Sequence, residues 1–323
     1  MNELKIRIID HIEDLPPLSV DNFFHSPQLF RLAHQTPRQK PYMCLAESAD
    51  GQVVAHMLAI VRYRASYFPP YFYMHCRVLG EGVYAAQPDA EIFGRMLNAL
   101  CRKLSNRVLY IEVSNLGHKM FGYRQFRQER FFPVHWMSIH NSLHSHTPEE
   151  RISERMQRRI DTAYKRGVVT NEVQTDADFR AFSRLLRHHH WLKPKRYIPH
   201  DQFFRGIMQT DAGRLYLTRY RGHIVGCSVV VYSGRNAYLW YAAYRRKSYV
   251  FVHPDVLTIW HAIKESHRQG YDHIFFLDVG LPFSKNSFRE FILKFGGKPT
   301  STYRWFRVSI RWINSLLSWI YRD

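Results

Sequence analysis

A chain of 323 residues exceeds what one hydrophobic core usually organises, so two domains of ordinary size are expected. Hydrophobic residues at 46% and aromatics at 15% supply apolar side chain for two cores and exclude a disordered or fibrous polymer. Against 27 Asp and Glu stand 46 Lys and Arg, a formal charge of +19, which favours an anionic partner: nucleic acid, an anionic membrane face or a phosphate-bearing small molecule.

The opening MNELKIRIIDHIEDL scatters acids among its apolar residues, so neither a signal peptide nor a membrane anchor is expected there, and a cytoplasmic location is. From Tyr42, YMCLAESADGQVVAHMLAIVRYRA sets two alternating β-rich runs around Asp50-Gly51, a hairpin signal. A helix follows in DAEIFGRMLNALCRKL, with Ile92, Phe93, Met96, Leu97 and Leu100 at three-and-four spacing on one face. The strand VLYIEVSN, residues 108–115, comes next. Thr147, Pro148 and Glu150 then predict a helix start and Gly167 its stop, over a segment carrying Arg151, Arg155, Arg158, Arg159, Lys165 and Arg166.

The order repeats. RLYLTRYRGHIVGCSVVVYSGR, from Arg214, is a second hairpin around Arg221-Gly222, and NAYLWYAAY a further strand. A helix is predicted from Pro254 to the stop at Gly270, followed by the strand HIFFLDVG, residues 273–280. Hairpin, helix and strand in the same order and at similar separations suggest an internal duplication. The boundaries expected are 1–145 for the first domain, 146–310 for the second and 311–323 for a tail. In that tail Trp312, Trp319 and Tyr321 sit among Ile and Leu beside arginines; the segment is too short to span a bilayer and suits an amphipathic helix lying on a membrane surface.

Cys44, Cys76, Cys101 and Cys227 show neither CxxC nor Cys/His metal spacing and read as small buried hydrophobes. His188-His189-His190 cannot easily share an ion, because successive helix residues point in different directions, so no metal site is expected. The absence of GxSxG, P-loop and GxGxxG patterns leaves serine hydrolase, NTPase and dinucleotide-binding readings without support. WLKPKRYIPH places Lys193, Lys195 and Arg196 beside Trp191 and Tyr197, a basic turn with aromatic neighbours that suits a nucleotide or sugar phosphate.

Several segments resemble one family. RRIDTAYKRGVVTNEV resembles the basic helix and Lys-Gly-Val strand that open the second domain of FemAB-like aminoacyltransferases and their acetyltransferase relatives. DFRAFSRLLRHHHWLKPKRYIPHDQFFRGI, PDVLTIWHAIKESHRQGYDHIFFLDVG and FREFILKFGGKPT resemble, in order, their helix–turn–helix, their helix, Gly-Tyr turn and strand ending in Asp, and their closing segment. FFHSPQLFRLAHQTPRQKPYMCLAESADGQVVAHMLA is similar to the family's opening. The resemblance runs from about residue 20 to about residue 308. It implies an α/β (α+β) fold of two tandem GNAT-like domains, each a mixed, mainly antiparallel sheet flanked by helices, with the cleft at or near the second. It also implies transfer of an acyl or aminoacyl group to an amine, with acyl-CoA or aminoacyl-tRNA as co-substrate and no tightly bound cofactor.

On that resemblance Asp278 and Tyr244 are the expected catalytic residues, the carboxylate taking the amine proton or holding the ammonium. Arg245, Arg246 and Lys247 with Tyr241 are expected to bind the donor or its phosphates, in a segment without the compact Gly-rich loop of acetyl-CoA users. Alignment on Phe291 and Phe295-Gly296 places Ile292 where the family often has a lysine; Lys294 nearby is expected on the donor or phosphate side, and whether it replaces that lysine stays open. Arg159, Lys195, Arg196, Trp191 and Glu112 are expected on the acceptor side. The missing coiled-coil insertion of peptidoglycan-bridge members lowers the case for tRNA.

The functions expected are therefore N-acyl or aminoacyl transfer in cell-envelope, peptidoglycan or surface-polysaccharide assembly; CoA-dependent N-acetylation of a small nucleotide sugar; or, of another class, nucleic-acid binding without catalysis. Expected partners are a phosphate-bearing or lipid-linked substrate, tRNA, and peripheral contact at the inner membrane face.

Overall fold

The computed structural model describes residues 4–67, 70–190, 196–277 and 279–321. Turn chemistry sets the hairpins. At Asp50-Gly51 the glycine has φ of 81°, and the Ser48 and Gly51 amides close the turn on Gln52 and Ser48 carbonyls. At Arg221-Gly222 both residues take positive φ, 48° and 78°, as the tightest hairpin turns require.

Met1–Trp136 together with Ser301–Asp323 form one unit, and Met137–Thr300 the other. In chain order the first stretch gives β1 (Lys5–Ile9), α1 (Pro27–Gln35), β2 (Gln39–Glu47), β3 (Val53–Tyr67), β4 (Pro70–Leu79), β5 (Val83–Tyr84), α2 (Ala90–Leu104), β6 (Tyr110–Ser114), α3 (Tyr123–Gln128) and β7 (Phe132–Ser142). The second gives α4 (Glu154–Lys165), β8 (Val168–Glu172), α5 (Asp176–His190), α6 (Asp201–Met208), β9 (Gly213–Tyr220), β10 (His223–Ser233), β11 (Asn236–Tyr244), α7 (Pro254–Arg268), β12 (His273–Phe276), α8 (Ser287–Leu293), β13 (Lys298–Val308) and α9 (Arg311–Ile320).

Each unit orders its strands alike. In the first, β1, β2, β3 and β4 are antiparallel neighbours, β4 and β6 run parallel, and residues 304–308 of β13 complete the set. In the second, β8, β9, β10 and β11 are antiparallel, β11 and β12 parallel, and residues 139–142 of β7 complete the set. The strand that closes each unit thus comes from the far side of the sequence repeat. The expected mixed, mainly antiparallel α/β architecture is present, and the duplicated order of elements is real.

Three expectations shift. The units divide at 136/137 and 300/301 rather than at 145, and the tail with its preceding strand segment belongs to the first unit. The helix expected from residue 147 starts instead at Glu154, because Ser153 caps the Met156 amide while residues 149–151 form a separate short turn. The strand expected over 273–280 stops at Phe276.

The cores follow the apolar faces read from sequence. Phe93, Met96, Leu97 and Leu100 of α2 are wholly buried against Cys44, Cys76, Val78, Val113 and Trp305. In the second unit Val256, Ile259, Trp260 and Ile263 of α7 pack on the sheet. Each such side chain contributes about 1.5–3 kcal/mol. All four cysteines are buried thiols, as expected.

Candidate functional site

The site begins with a β-bulge. Along the β10/β11 pair Leu239 faces Val230 and Tyr241 faces Val229, so Trp240 is an extra residue in β11. A bulge bends its strand and sharpens its twist. At the same place β11 parts from its parallel neighbour: β11 and β12 pair from Asn236 and His273 to Leu239 and Phe276, and a 3.4 Å bond from the Leu277 amide to the Leu239 carbonyl ends the ladder. A cavity of about 330 Å³ opens beyond, at the carboxyl ends of two parallel strands, the usual ligand position in α/β sheets.

Leu239 to Ala242 and Tyr244 form its β11 wall, and Leu277 marks the end of β12. The last turn of α5 supplies His189 and His190, the following segment Arg196, the turn after β11 Arg246, and α8 Ser287, Phe288 and Phe291. Apolar walls with a few placed polar groups are what a small-molecule site needs.

Burial pushes the Tyr244 phenol up to about 12, with the nearby Asp255 charge acting in the same direction, so the hydroxyl is a proton donor at neutral pH. The His189 ring lies 5.3 Å from the Tyr244 ring, and its Nδ1 is 3.2 Å from the Tyr244 carbonyl. A carbonyl only accepts, so Nδ1 carries the proton and Nε2 is the basic nitrogen. Arg196 donates to the Trp240 carbonyl at the bulge and stacks over the Tyr241 ring at 5.1 Å. Tyr241 itself is buried and donates to the Tyr197 carbonyl.

The start of α7 departs from the phosphate-receiving helix end the resemblance implies. His253 occupies the cap position in a left-handed conformation, φ 50°, and Asp255 in the first turn is buried with its carboxylate 3.4 Å from Arg246 Nε. A carboxylate there already uses the favourable end of the helix dipole. Arg246 spans from this carboxylate to the cavity wall. The imidazole of His253 is held below its ordinary pKa by burial first and by the Arg159 charge next, which places Arg159 near the same turn although it does not line the cavity.

Of the residues expected from sequence, Tyr244, Tyr241, Arg196 and Arg246 come together around the cavity. Arg245 and Lys247 are exposed in the turn beside Arg246, and Lys294 is exposed at the end of α8. Ile292 is fully buried in the core, a position with no room for a charged substitute. Asp278, Trp191 and Lys195 lie outside the described residues, as does Lys193. Glu112 belongs to the first unit, where its buried carboxylate meets Arg77 at 3.4 Å, Arg304 at 3.2 Å and the Ser114 hydroxyl at 3.2 Å. That environment consumes the carboxylate and corrects its assignment to the acceptor side. His189 was legible only as part of a three-histidine run; nothing in the run tells which ring faces β11.

The first unit repeats the parallel pair, but here the ladder runs on. β4 and β6 stay in register from His75 and Tyr110 to Leu79 and Ser114, and the Gly80 amide continues the ladder to the Ser114 carbonyl. Beyond it the Glu81 carboxylate accepts from the Leu116 and Gly117 amides at 3.1 and 3.0 Å, tying the two strand ends together.

Residues 150–283 match the family described as acetyltransferase (GNAT) domain. No curated protein matches the sequence. Among solved structures the fold is similar to FemX, at 9% identity and a TM-score of 0.62 over 95% of this chain and 96% of that one. A tandem GNAT protein of the clavulanic acid biosynthesis pathway matches at 12% identity and 0.58, over 95% and 99%. The C-terminal domain of a putative lysylphosphatidylglycerol synthetase from Agrobacterium fabrum matches at 10% and 0.58, over 93% and 95%. At these identities the likeness is one of fold: two tandem GNAT units.

Proposed function

We propose, from the GNAT-type acyltransferase domain that residues 150–283 form, that the chain transfers an acyl or aminoacyl group to an amine, the acceptor being a cell-envelope or surface-polysaccharide precursor. The observation that carries this reading is the opening between β11 and β12 at the Trp240 bulge, with a high-pKa tyrosine, a tautomer-fixed histidine and two arginines on its walls.

The chemistry is direct transfer in a ternary complex. The acceptor amine attacks the donor carbonyl, forming the new C–N bond as the C–S bond of a thioester or the C–O bond of an aminoacyl ester breaks. His189 Nε2 takes the amine proton, Asp278 being the proton acceptor expected from sequence, and the Tyr244 hydroxyl gives its proton to the leaving sulfur or oxygen and regains one from protonated His189 through solvent. Arg196 and Arg246 hold donor phosphates or polarise the carbonyl, and the aromatic walls exclude water. No tightly bound cofactor is needed.

Two donors remain, an acyl-CoA and an aminoacyl-tRNA. The first is the ordinary co-substrate of GNAT domains. The second gains from Asp255, whose carboxylate occupies the first turn of α7 where a pyrophosphate would otherwise seat. A thermal-shift screen with CoA thioesters, charged and uncharged tRNA and nucleotide sugars tests the reading. A donor at a hundredfold excess over its dissociation constant stabilises the folded state by about 2.7 kcal/mol, a rise of several degrees in melting temperature. No shift with any donor, with tight duplex-DNA binding instead, would reject transfer in favour of a nucleic-acid-binding protein.

A further inference from the structure

α9 is docked upside down for a globular helix. Its buried residue is polar: Asn314 accepts from the Val308 amide at 2.8 Å and donates to the Arg130 carbonyl at 3.0 Å. Tyr321, just beyond the helix, stacks on Phe132 with ring centroids 5.8 Å apart. At 100° per residue these two share one side, and Trp312, Leu316, Trp319 and Ile320 fall within about 100° of arc on the opposite one. Those four are 69%, 48%, 66% and 55% exposed. Two hydrogen bonds to fixed backbone groups therefore hold the helix with its tryptophans facing outward.

We propose that this stripe seats in the headgroup region of an anionic lipid surface. Tryptophan suits that boundary, having a large apolar ring with a polar N–H, and an amphipathic helix lies in it with its apolar face down. No helix among the described residues is long and apolar enough to cross a bilayer, and α9, at ten residues or about 15 Å, lies on the surface instead. The charges around the stripe fit anionic lipid. Arg311 opens the helix, Arg130 is held by Asn314, Arg127 lies on α3 beside it, and Arg107 precedes the Val108 carbonyl that accepts from the Ser309 hydroxyl; all four are exposed. Each basic residue near such a surface contributes about 1 kcal/mol.

A second copy of the chain fits less well. Four side chains offer a few hundred Å², below the roughly 800 Å² per partner of a stable interface, and a symmetric pairing would set these arginines against their own copies. The surface rests on α9 and its neighbours alone and holds whichever donor the cleft takes.

The test is co-sedimentation of the full chain with vesicles of phosphatidylcholine alone and of phosphatidylcholine mixed with phosphatidylglycerol. A charge of +19 draws the chain to anionic vesicles in any orientation, so the discriminating variant keeps every charge: Trp312→Ser with Trp319→Ser. Thermal unfolding checks its fold, and Leu316→Ser alone provides a milder second variant. The wild type is expected on the phosphatidylglycerol vesicles, with the double variant at least ~10-fold weaker and Leu316→Ser in between. Unchanged partition of both variants overturns the proposal. So does a wild type that ignores the vesicles, or one whose self-association in sedimentation velocity is abolished by the same substitutions while vesicle binding stays the same.

Discussion

At the scale of single residues, the proposed transfer gives two side chains of the same cavity the proton work. Tyr244, pushed up to about 12 by burial and by Asp255, keeps its proton throughout the physiological range. Tyr244→Phe removes only the hydroxyl, and kcat is expected to fall about 10²–10⁴-fold with KM for the donor little changed. His189→Asn, whose amide N–H can keep the contact Nδ1 makes to the Tyr244 carbonyl, should lower the neutral-pH plateau of kcat/KM and flatten its acidic limb. Glu112 is a contrasting residue. Removing the carboxylate that Arg77 and Arg304 share, by Glu112→Ala, is expected to cost about 3–5 kcal/mol in denaturant unfolding without changing turnover per folded molecule. Residue type and position at a strand end made Glu112 look like a site carboxylate; only its partners, 35 and 192 residues away in sequence, show it to be structural.

Among the elements, local chemistry was largely readable and pairing was not. Asp50-Gly51, Arg221-Gly222, the α2 stripe and the Pro254 and Gly270 limits of α7 all stand where turn and capping rules put them. The early end of β12 could not be read, because it depends on an extra residue in β11, and a bulge at Trp240 leaves no mark in an apolar run such as NAYLWYAAY. The closing strands could not be read either: nothing in β7 or β13 says that each pairs across the repeat. Close approach of elements is similarly hidden. A Cβ on Gly226 would lie 2.0 Å from the Thr258 hydroxyl, which itself bonds to Thr218 and the Pro254 carbonyl. Gly226→Ala should therefore destabilise the second unit by about 1–3 kcal/mol, and adding Thr258→Ala should recover part of that loss in the same urea melt.

For the whole molecule, composition pointed to two cores and two units form, the parallel pair parting beyond Leu239 in the second while Gly80 and Glu81 tie the equivalent strand ends together in the first. The histidines add a pH dependence. Burial lowers His25 to about 3 and His56 to about 4, and His140, His261 and His273 are lowered for the same reason. A folded pKa below the unfolded value of about 6.5 means that the unfolded chain takes up more protons. Stability is then full above pH 6.5 and declines as the pH falls toward 4 and 3, so melting temperatures measured from pH 8 to pH 4 should drop steadily on the acid side.

Hydrogen–deuterium exchange of the full chain with and without the donor found in the thermal screen locates the site most directly. Protection over residues 239–246 of β11 and its turn and over 287–291 of α8, with the 79–81 and 114–117 segments of the first unit unchanged, is the result this account predicts. Protection confined to the first unit, with β11 and α8 exchanging as in the free protein, would contradict it.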